Sequence, residues 1–358
     1  MIRKLCRLLG IALLALSSLA PLSAQGSQPS PPSQPAQRIV AVGDLHGDFD
    51  AWRQVALTAH IIDARNHWAG GTSILVQLGD IVDRGPDSLK IISHLMKLQR
   101  EAPRAGGRVV VLVGNHEAMN MTGDLRYVSP GEYAAFANAD SARLRERVYQ
   151  ASRAAIAAAY RTRSPTMSDD AIHAAWLAKT PLGMLEHQAA WGPNGQLGRW
   201  TIANPAIAKI GDTLFVHGGI SISYATTPVQ MINQKVAAAL KARDASEASI
   251  LYDPFGPLWY RGLVTRTGES GEAPAFPSTY PSIAVELATV LSATGARRMV
   301  IAHTPRLAGI EISHAGRLVR VDTGMSRYYG GKLSYLEILG GQLMPHNFDR
   351  SPLAAPVR

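Results

Sequence analysis

The residues able to do chemistry stand at the ends of apolar runs. After Ile39-Val40-Ala41-Val42 come Gly43, Asp44, Leu45, His46, Gly47 and Asp48. Side chains alternate along an extended chain, so Asp44 and His46 fall on one side and can meet one cation. The device returns at Leu78-Gly79-Asp80-Ile81-Val82-Asp83-Arg84-Gly85 and at Val113-Gly114-Asn115-His116-Glu117. Two later runs end in His217-Gly218-Gly219 and His303-Thr304-Pro305. The donor set is then Asp44, His46, Asp80, Asn115, His217 and His303, which is carboxylate, amide and imidazole with no thiolate. Such donors suit Mn, Fe or Zn. A carboxylate has two oxygens, so Asp80 can bridge two ions about 3.5–4 Å apart. Asp44 and His46 would complete one ion, and Asn115, His217 and His303 the other. Paired cations lower the pKa of bound water and so supply a hydroxide nucleophile at neutral pH.

Such clusters need strands to carry them. Asp80 follows Asp44 by 36 positions and Asn115 follows Asp80 by 35, the pitch of right-handed β-α-β crossovers with parallel strands. Helical stretches are expected over about Phe49 to Ile62 and Ser88 to Arg100, with Pro86 at the first helical position. In such sheets ligands gather outside the carboxyl ends of the strands, where these clusters lie. From about 130 to 190 the chain is Ala-rich with Arg and Glu at helical spacing, and Ser168-Asp169-Asp170 marks a helix start. This reads as a helical insertion, either a cap over a cleft or a structural flank. Strands are expected at Arg199 to Ile202, Ala206 to Ile210, Thr213 to Val216 and Arg298 to Ala302. Helices are expected at Pro228 to Arg243 and Pro281 to Thr294, with hairpins turning at Ala315-Gly316 and Gly340-Gly341.

The chain has 358 residues, of which 46% are apolar, enough for a large core. It opens with Arg3, Lys4 and Arg7, then an apolar run from Leu8 to Leu22 and the small residues Ser23-Ala24. The run is shorter than the roughly 20 residues of a spanning helix, and the pattern is that of a secretory signal peptide over 1–24, cleaved after Ala24. An uncleaved anchor is the alternative. Cys6, the only cysteine, lies inside this segment, so the mature chain has no disulfide to form. A periplasmic or secreted location is expected. Residues 25–37 are rich in Ser, Pro and Gln and read as a disordered tether, followed by one domain over 38–348 and a loose tail over 349–358. The net charge of +9 favours anionic partners. No basic run or aromatic-basic alternation points to nucleic acid, and no membrane span is expected after cleavage.

From Gly43 to His303 these motifs resemble the phosphoprotein-phosphatase branch of the calcineurin-like metallophosphoesterases. Gly114-Asn115-His116-Glu117-Ala118-Met119-Asn120 and Gly123-Asp124-Leu125-Arg126-Tyr127-Val128 look most like the Shewanella-like protein phosphatases. So do Pro257-Leu258-Trp259-Tyr260-Arg261-Gly262, Asp322-Thr323-Gly324 and Gly330 to Ser334. The resemblance implies an α/β fold, a central β-sandwich of two mixed sheets flanked by helices, with two metal ions at its rim. It implies that Arg84, Arg261 and Asn115 hold the phosphate, that His116 protonates the leaving oxygen and that Asp83 orients His116. Asp48 and Glu117 are read as structural, and His60, His67, His94, His173, His187, His314 and His346 as satisfied or solvated.

The implied activity is hydrolysis of phosphoprotein or phosphopeptide esters by a metal-bridging hydroxide. No phosphoenzyme is implied, since no Cys or Ser nucleophile motif occurs. The Leu-Trp-Ser-Asp-Pro string of the eukaryotic serine/threonine enzymes is missing, and some Shewanella-like relatives prefer phosphotyrosine. Tyr127 and Tyr260, beside suspected phosphate contacts, are therefore expected as aromatic walls. The alternatives are a hydrolase of dinucleoside polyphosphates or small phosphate esters, and a catalytically silent binding protein, which the full ligand set and His116 argue against.

Overall fold

Short apolar runs become strands because both of their faces are covered. The computed structural model describes residues 37–266, 276–277 and 279–351. The expected signal segment and nearly all of the expected tether lie outside these residues. The strands are β1 (Ile39–Val42), β2 (Ile74–Gln77), β3 (Arg108–Val111), β4 (Ile207–Ile210), β5 (Thr213–Val216), β6 (Arg298–Ile301), β7 (Glu311–Ser313), β8 (Leu318–Arg320), β9 (Leu333–Leu339) and β10 (Gln342–Phe348). They form two five-stranded sheets, ordered β10-β9-β1-β2-β3 and β4-β5-β6-β8-β7. β1, β2 and β3 pair in parallel, as do β5, β6 and β8, while the outer hairpin strands run antiparallel. Both sheets are thus mixed, and the expected sandwich is what the chain forms.

Alternation along each strand divides the core in two. Ile39 and Ala41 of β1 join Ile74 and Val76 of β2, Phe215 of β5, Val300 of β6 and Val319 of β8 in the layer between the sheets. Val40, Val42 and Leu75 face the other way, into the larger core under the helices. Strands buried on both faces read as continuous apolar runs, which explains the sequence pattern.

The helices are α1 (Phe49–Thr58), α2 (Ser88–Glu101), α3 (Asn115–Thr122), α4 (Pro130–Phe136), α5 (Ser141–Arg163), α6 (Asp169–Lys179), α7 (Met184–Trp191), α8 (Gln196–Ala203), α9 (Val229–Ala242) and α10 (Ile283–Thr294). Asp48 caps α1 by accepting the Ala51 N–H at 3.0 Å, and Ser168 caps α6 in the same way. Three readings need correction. Residues 199–202 are helical, within α8. Leu197 and Thr201, four apart, are buried on one face, and a four-residue apolar window cannot tell this from a strand. Helix α1 stops at Thr58, short of Ile62, because His60 takes a left-handed backbone (φ 53°). Helix α2 begins at Ser88 after Asp87, so Pro86 belongs to the preceding loop.

The insertion, α4 to α8, is helical as expected and runs on to Ala203. Among the described residues no helix is long and apolar enough to cross a membrane. The tail is not loose where it is described. Arg350 donates to Asp48 Oδ2 at 2.7 Å and to the Met325 carbonyl at 2.9 Å, and the Ser351 N–H donates to Gln54.

Burial works to raise the pKa of Asp48, but hydrogen bonds from Arg350 and from the Ala51 and Arg327 N–H groups outweigh it and hold the carboxyl below its ordinary value. Arg350→Ala should therefore cost about 1.5–3 kcal/mol at pH 7, the usual worth of hydrogen bonds to a charged group. A depressed carboxylate stabilises the fold above its unfolded pKa, and that contribution is lost as pH falls through the folded value. The gap between wild type and variant should thus begin to narrow below about pH 4, the unfolded value, and close only below the folded one. Urea titrations at pH 7 and at about pH 2, below the depressed value, would show it as a shift in midpoint with unchanged slope. An equal gap at both pH values would rule out the charge pair as its source.

Candidate metal centre and active site

The loops after β1, β2, β3, β5 and β6 bring the expected donors to one cleft of about 370 Å³, whose walls include Asp44, His46, Asp80, Asn115 and His303. Asp80 lies at its centre. Its Oδ2 is 3.2 Å from His217 Nε2 and 3.9 Å from the Nε2 atoms of both His46 and His116. Its Oδ1 accepts the His116 N–H at 2.9 Å. Two groups of donor atoms, each within 4.8 Å, share Asp80: His46 with His116, and His217 with His303. Asp44 Oδ2 is 3.9 Å from His46 Nε2, and Asn115 Oδ1 is 3.0 Å from His217 Nε2. All six expected donors therefore meet, and His116 stands with His46 and Asp80 in one of the two groups.

Backbone carbonyls set the tautomers. His46 Nδ1 lies 3.0 Å from the Val82 carbonyl and His217 Nδ1 lies 2.7 Å from that of Leu78. Each Nδ1–H donates there, leaving Nε2 as the inward donor.

These residues fit two cations. His303 Nε2 is buried with no hydrogen-bond partner among the described residues. Burial, then the charges of Asp322 and Asp80, push the Asp44 carboxyl well above the usual carboxylate range. Burial lowers His303 well below the ordinary imidazole value, helped by Arg261 and His217, and brings His46 down to about 3. Neutral imidazoles beside crowded carboxylates are what a cation needs, and the donors contain no thiolate.

The loops that hold these donors are strained. His46, Asp80, Asp83, Arg84 and His303 all have positive φ, from 43° to 69°. For non-glycine residues this costs on the order of 1–3 kcal/mol each and persists only when the surroundings fix it. Glu117 supplies part of the fixing. Its Oε2 accepts the N–H groups of Asp80 and Gly114, and its Oε1 that of Ile81, at 2.8–2.9 Å. Glycine is required at 114, where a Cβ would lie 2.3 Å from Asp80 Oδ1. Glu117 and Asp48 are structural, as read from the sequence.

Beside the metal donors sits a hydrogen-bonded pair. His116 Nδ1 is 2.5 Å from Asp83 Oδ2, and Asn120 donates to Asp83 Oδ1 at 3.0 Å. Burial works against the imidazolium, but Asp80 and Asp83 outweigh it and raise His116 above its ordinary value. Arg84 Nη2 is 3.4 Å from His116 Nε2. The Arg84 guanidinium is packed against Tyr127, Tyr328 and Tyr329, at 4.8, 4.9 and 5.0 Å from the ring centres. Arg261 also lines the cleft, and its Nη1 donates to the His303 carbonyl and to Thr304 Oγ1.

Tyr260 is not a wall. It is fully buried, and its hydroxyl donates to the Glu286 carboxylate at 2.7–2.8 Å. Its neighbour Trp259 faces the cleft, edge-on to His303 with ring centres 5.6 Å apart. The two aromatics stand on a hydrogen-bonded turn, in which both N–H groups donate to the Gly256 carbonyl, and the sequence alone did not say which of them turned inward. Tyr127 does line the cleft.

Three contributors escaped the sequence reading. Tyr252 and Tyr329 line the cleft. Asp322, 2% exposed, sits against Asp44 just beyond β8, and burial and its neighbours raise it to about 6. The motif Asp322-Thr323-Gly324 was its only signal. Of the other histidines, His94 is satisfied by Trp52 Nε1 and the Asn66 carbonyl. His187 departs from expectation. It is buried among Tyr133, Phe136 and Trp191 with Nδ1 unpartnered among the described residues, and burial lowers it to about 4.

Residues 37–244 match the family model described as calcineurin-like phosphoesterase, and the chain belongs to that family, whose members use two metal ions. It is a metal-dependent phosphatase hydrolase. It is 31% identical over 295 residues to Shewanella-like protein phosphatase 2 of Arabidopsis thaliana, covering 81% of this chain and 72% of that one. Shewanella-like protein phosphatase 1 of Plasmodium berghei is 27% identical, over 84% of this chain and 71% of its own. The crystal structure of a cold-active protein-tyrosine phosphatase of a psychrophilic Shewanella species superposes with a TM-score of 0.62 at 26% identity, covering 88% of this chain and 79% of that one.

Because Asp80 belongs to both donor groups and His217 to one, their substitutions should differ in kind. Asp80→Asn should leave less than about one ion per chain and cut turnover beyond the roughly 10–100-fold typical of an outer-shell change. His217→Ala should keep about one ion. Metal analysis of the two purified variants decides, and two ions with near-full turnover in Asp80→Asn would remove the bridge.

Proposed function

We propose that the protein is a two-metal phosphomonoesterase of phosphoproteins or phosphopeptides that favours phosphotyrosine. The observation that carries this reading is the Asp80 carboxylate common to both donor groups. In it, Asp44, His46 and Asp80 hold one cation, and Asp80, Asn115, His217 and His303 hold the other. Bound there, the ions supply positive charge to the phosphoryl oxygens and lower the pKa of water.

The chain's own residues do the rest. Arg84 and Arg261, with the Asn115 amide, hold the phosphoryl oxygens, where negative charge develops. The tyrosine rings around Arg84 and the contacts of Arg261 with His303 and Thr304 keep both guanidinium groups in place. His116 enters protonated, with Nδ1–H held by Asp83 and Nε2–H in the cleft. As the ester P–O bond breaks, Nε2 gives its proton to the leaving oxygen, and Asp83 keeps the neutral ring in its tautomer.

His116→Asn should lower turnover roughly 10²–10⁴-fold, the usual cost of losing a general acid. The deficit should shrink for esters of acidic phenols, whose leaving group needs no proton, and metal content should stay at two. Loss of one ion would make His116 a ligand instead of the acid. An equal deficit for every leaving group would also end the assignment.

The preference for phosphotyrosine rests on Tyr127, Tyr252, Trp259 and Tyr329 around the cleft. The relatives named as Shewanella-like protein phosphatases and the protein-tyrosine phosphatase structure support a phosphoprotein substrate. Stacking contributes about 0.5–1.5 kcal/mol beyond buried area, about 2–10-fold in kcat/KM. Tyr127→Leu should lower the ratio of kcat/KM for matched phosphotyrosine and phosphoserine peptides by about that factor. An unchanged ratio would dispose of the aromatic wall and leave the phosphatase standing.

A further inference from the structure

Asp83 and Arg84 are consecutive non-glycine residues in the left-handed region, with φ of 69° and 68°. They carry the partner of His116 and the guanidinium that faces it, so a relaxed turn would displace both. His46 holds the Val82 carbonyl and Asn120 the Asp83 carboxylate, and three further contacts on the turn come from one segment at the start of the insertion. The Arg84 N–H donates to the Tyr127 carbonyl at 2.9 Å. Ser129 Oγ donates to the Gly85 carbonyl at 2.9 Å. The Asp83 N–H donates to Glu132 Oε1 at 3.3 Å.

Glu132 is the unusual member. It lies on α4 and is 3% exposed, and its Oε2 is buried with no hydrogen-bond partner among the described residues. Among the described residues no cation side chain pairs with it. An ionised carboxylate there would face the Asp83 carboxylate, and burial followed by that charge pushes Glu132 well above its ordinary value. A neutral acid suits the geometry: Oε1 is an acceptor for a backbone N–H that an apolar residue would strand.

We propose that Glu132 is a positioning residue, a buried acceptor through which the insertion clamps the Asp83-Arg84 turn and so aims His116 and Arg84. The functional part of this inference rests on the reading of His116 as the acid. The insertion then braces the catalytic machinery, whatever it also does as a cap.

The test compares Glu132→Leu, which removes the acceptor at similar volume, with Glu132→Gln, which keeps a neutral carbonyl oxygen. Two readouts are taken on the metal-loaded enzyme: hydrogen exchange at the amides of Asp83 and Arg84, and kcat/KM across phosphate esters of graded leaving group. Glu132→Leu should speed exchange at those amides by about tenfold or more. It should lower kcat/KM by about 10–100-fold, a loss typical of misplacement from outside the chemistry, and most for alkyl esters. Glu132→Gln should stay within about threefold of wild type in both, as a clamp requires.

Unchanged exchange in Glu132→Leu overturns the clamp, and so does faster exchange with wild-type kinetics. If Glu132→Leu does not fold, Ser129→Ala serves in its place. It should show a smaller loss of the same leaving-group dependence, and wild-type exchange and kinetics there overturn the clamp too. His116→Asn is run alongside. If its deficit is equal for all leaving groups, the acid reading fails, and the exchange readout still decides the clamp.

Discussion

Asp80 is a buried charge that the surrounding protein must hold away from water. Three imidazoles approach its carboxylate within 4 Å, and Asp44 and Asp322 crowd the same space. Left to themselves, buried carboxylates shift their pKa and neutralise. Here Asp80 is held well below its ordinary value by His217, His116 and His46, against the effect of burial, while Asp44 is driven up. One carboxylate is thereby kept ionised at the centre and its neighbours depend on added positive charge. The family's two cations resolve that conflict.

Holding donors so close demands backbone that L-residues avoid. Five site residues sit at positive φ, and two glutamates bind the segment that contains three of them, Asp80, Asp83 and Arg84. Glu117, on α3, collects three N–H groups from the Asp80 and Gly114 loops. Glu132, on α4, takes the N–H of Asp83. Burial raises both carboxyls. Neither faces substrate, yet each satisfies donors that would otherwise be stranded, so strain and polar satisfaction are offset in the same contacts.

The sequence exposed whatever is local. An apolar run ending in Gly-Asp, Gly-Asn or His marks a strand end regardless of where the strand goes, so all six candidate donors were legible before any sheet order was known. Strand order was legible only in part: the equal pitch of Asp44, Asp80 and Asn115 set three parallel strands, whereas the second sheet assembles across long separations. What pattern could not reach was orientation. Arg199 to Ile202 has the composition of a strand and the packing of a helix. Tyr260 and Trp259 are adjacent aromatics with opposite fates, decided by Glu286 waiting in the core for one hydroxyl. Asp322 follows a three-residue strand, too short for its apolar pattern to stand out.

The two parts of the molecule therefore divide the work. The loops beyond the strand ends and the first residue of α3 carry the candidate metal donors, while the segment from Tyr127 to Glu132 contacts the turn that bears Asp83 and Arg84. Arg84 is caught between them. Its backbone is fixed from the insertion side through Tyr127, and its guanidinium lies against Tyr328 and Tyr329 from the loop before β9. A chain built this way can vary its insertion and retune substrate grip and proton delivery while the donor set stays whole. The reverse does not hold. Moving Asp80 moves the His116 N–H that it accepts, so a change at Asp80 reaches His116, the proposed acid, whereas the contacts on the Asp83-Arg84 turn can loosen with all six candidate donors still in place.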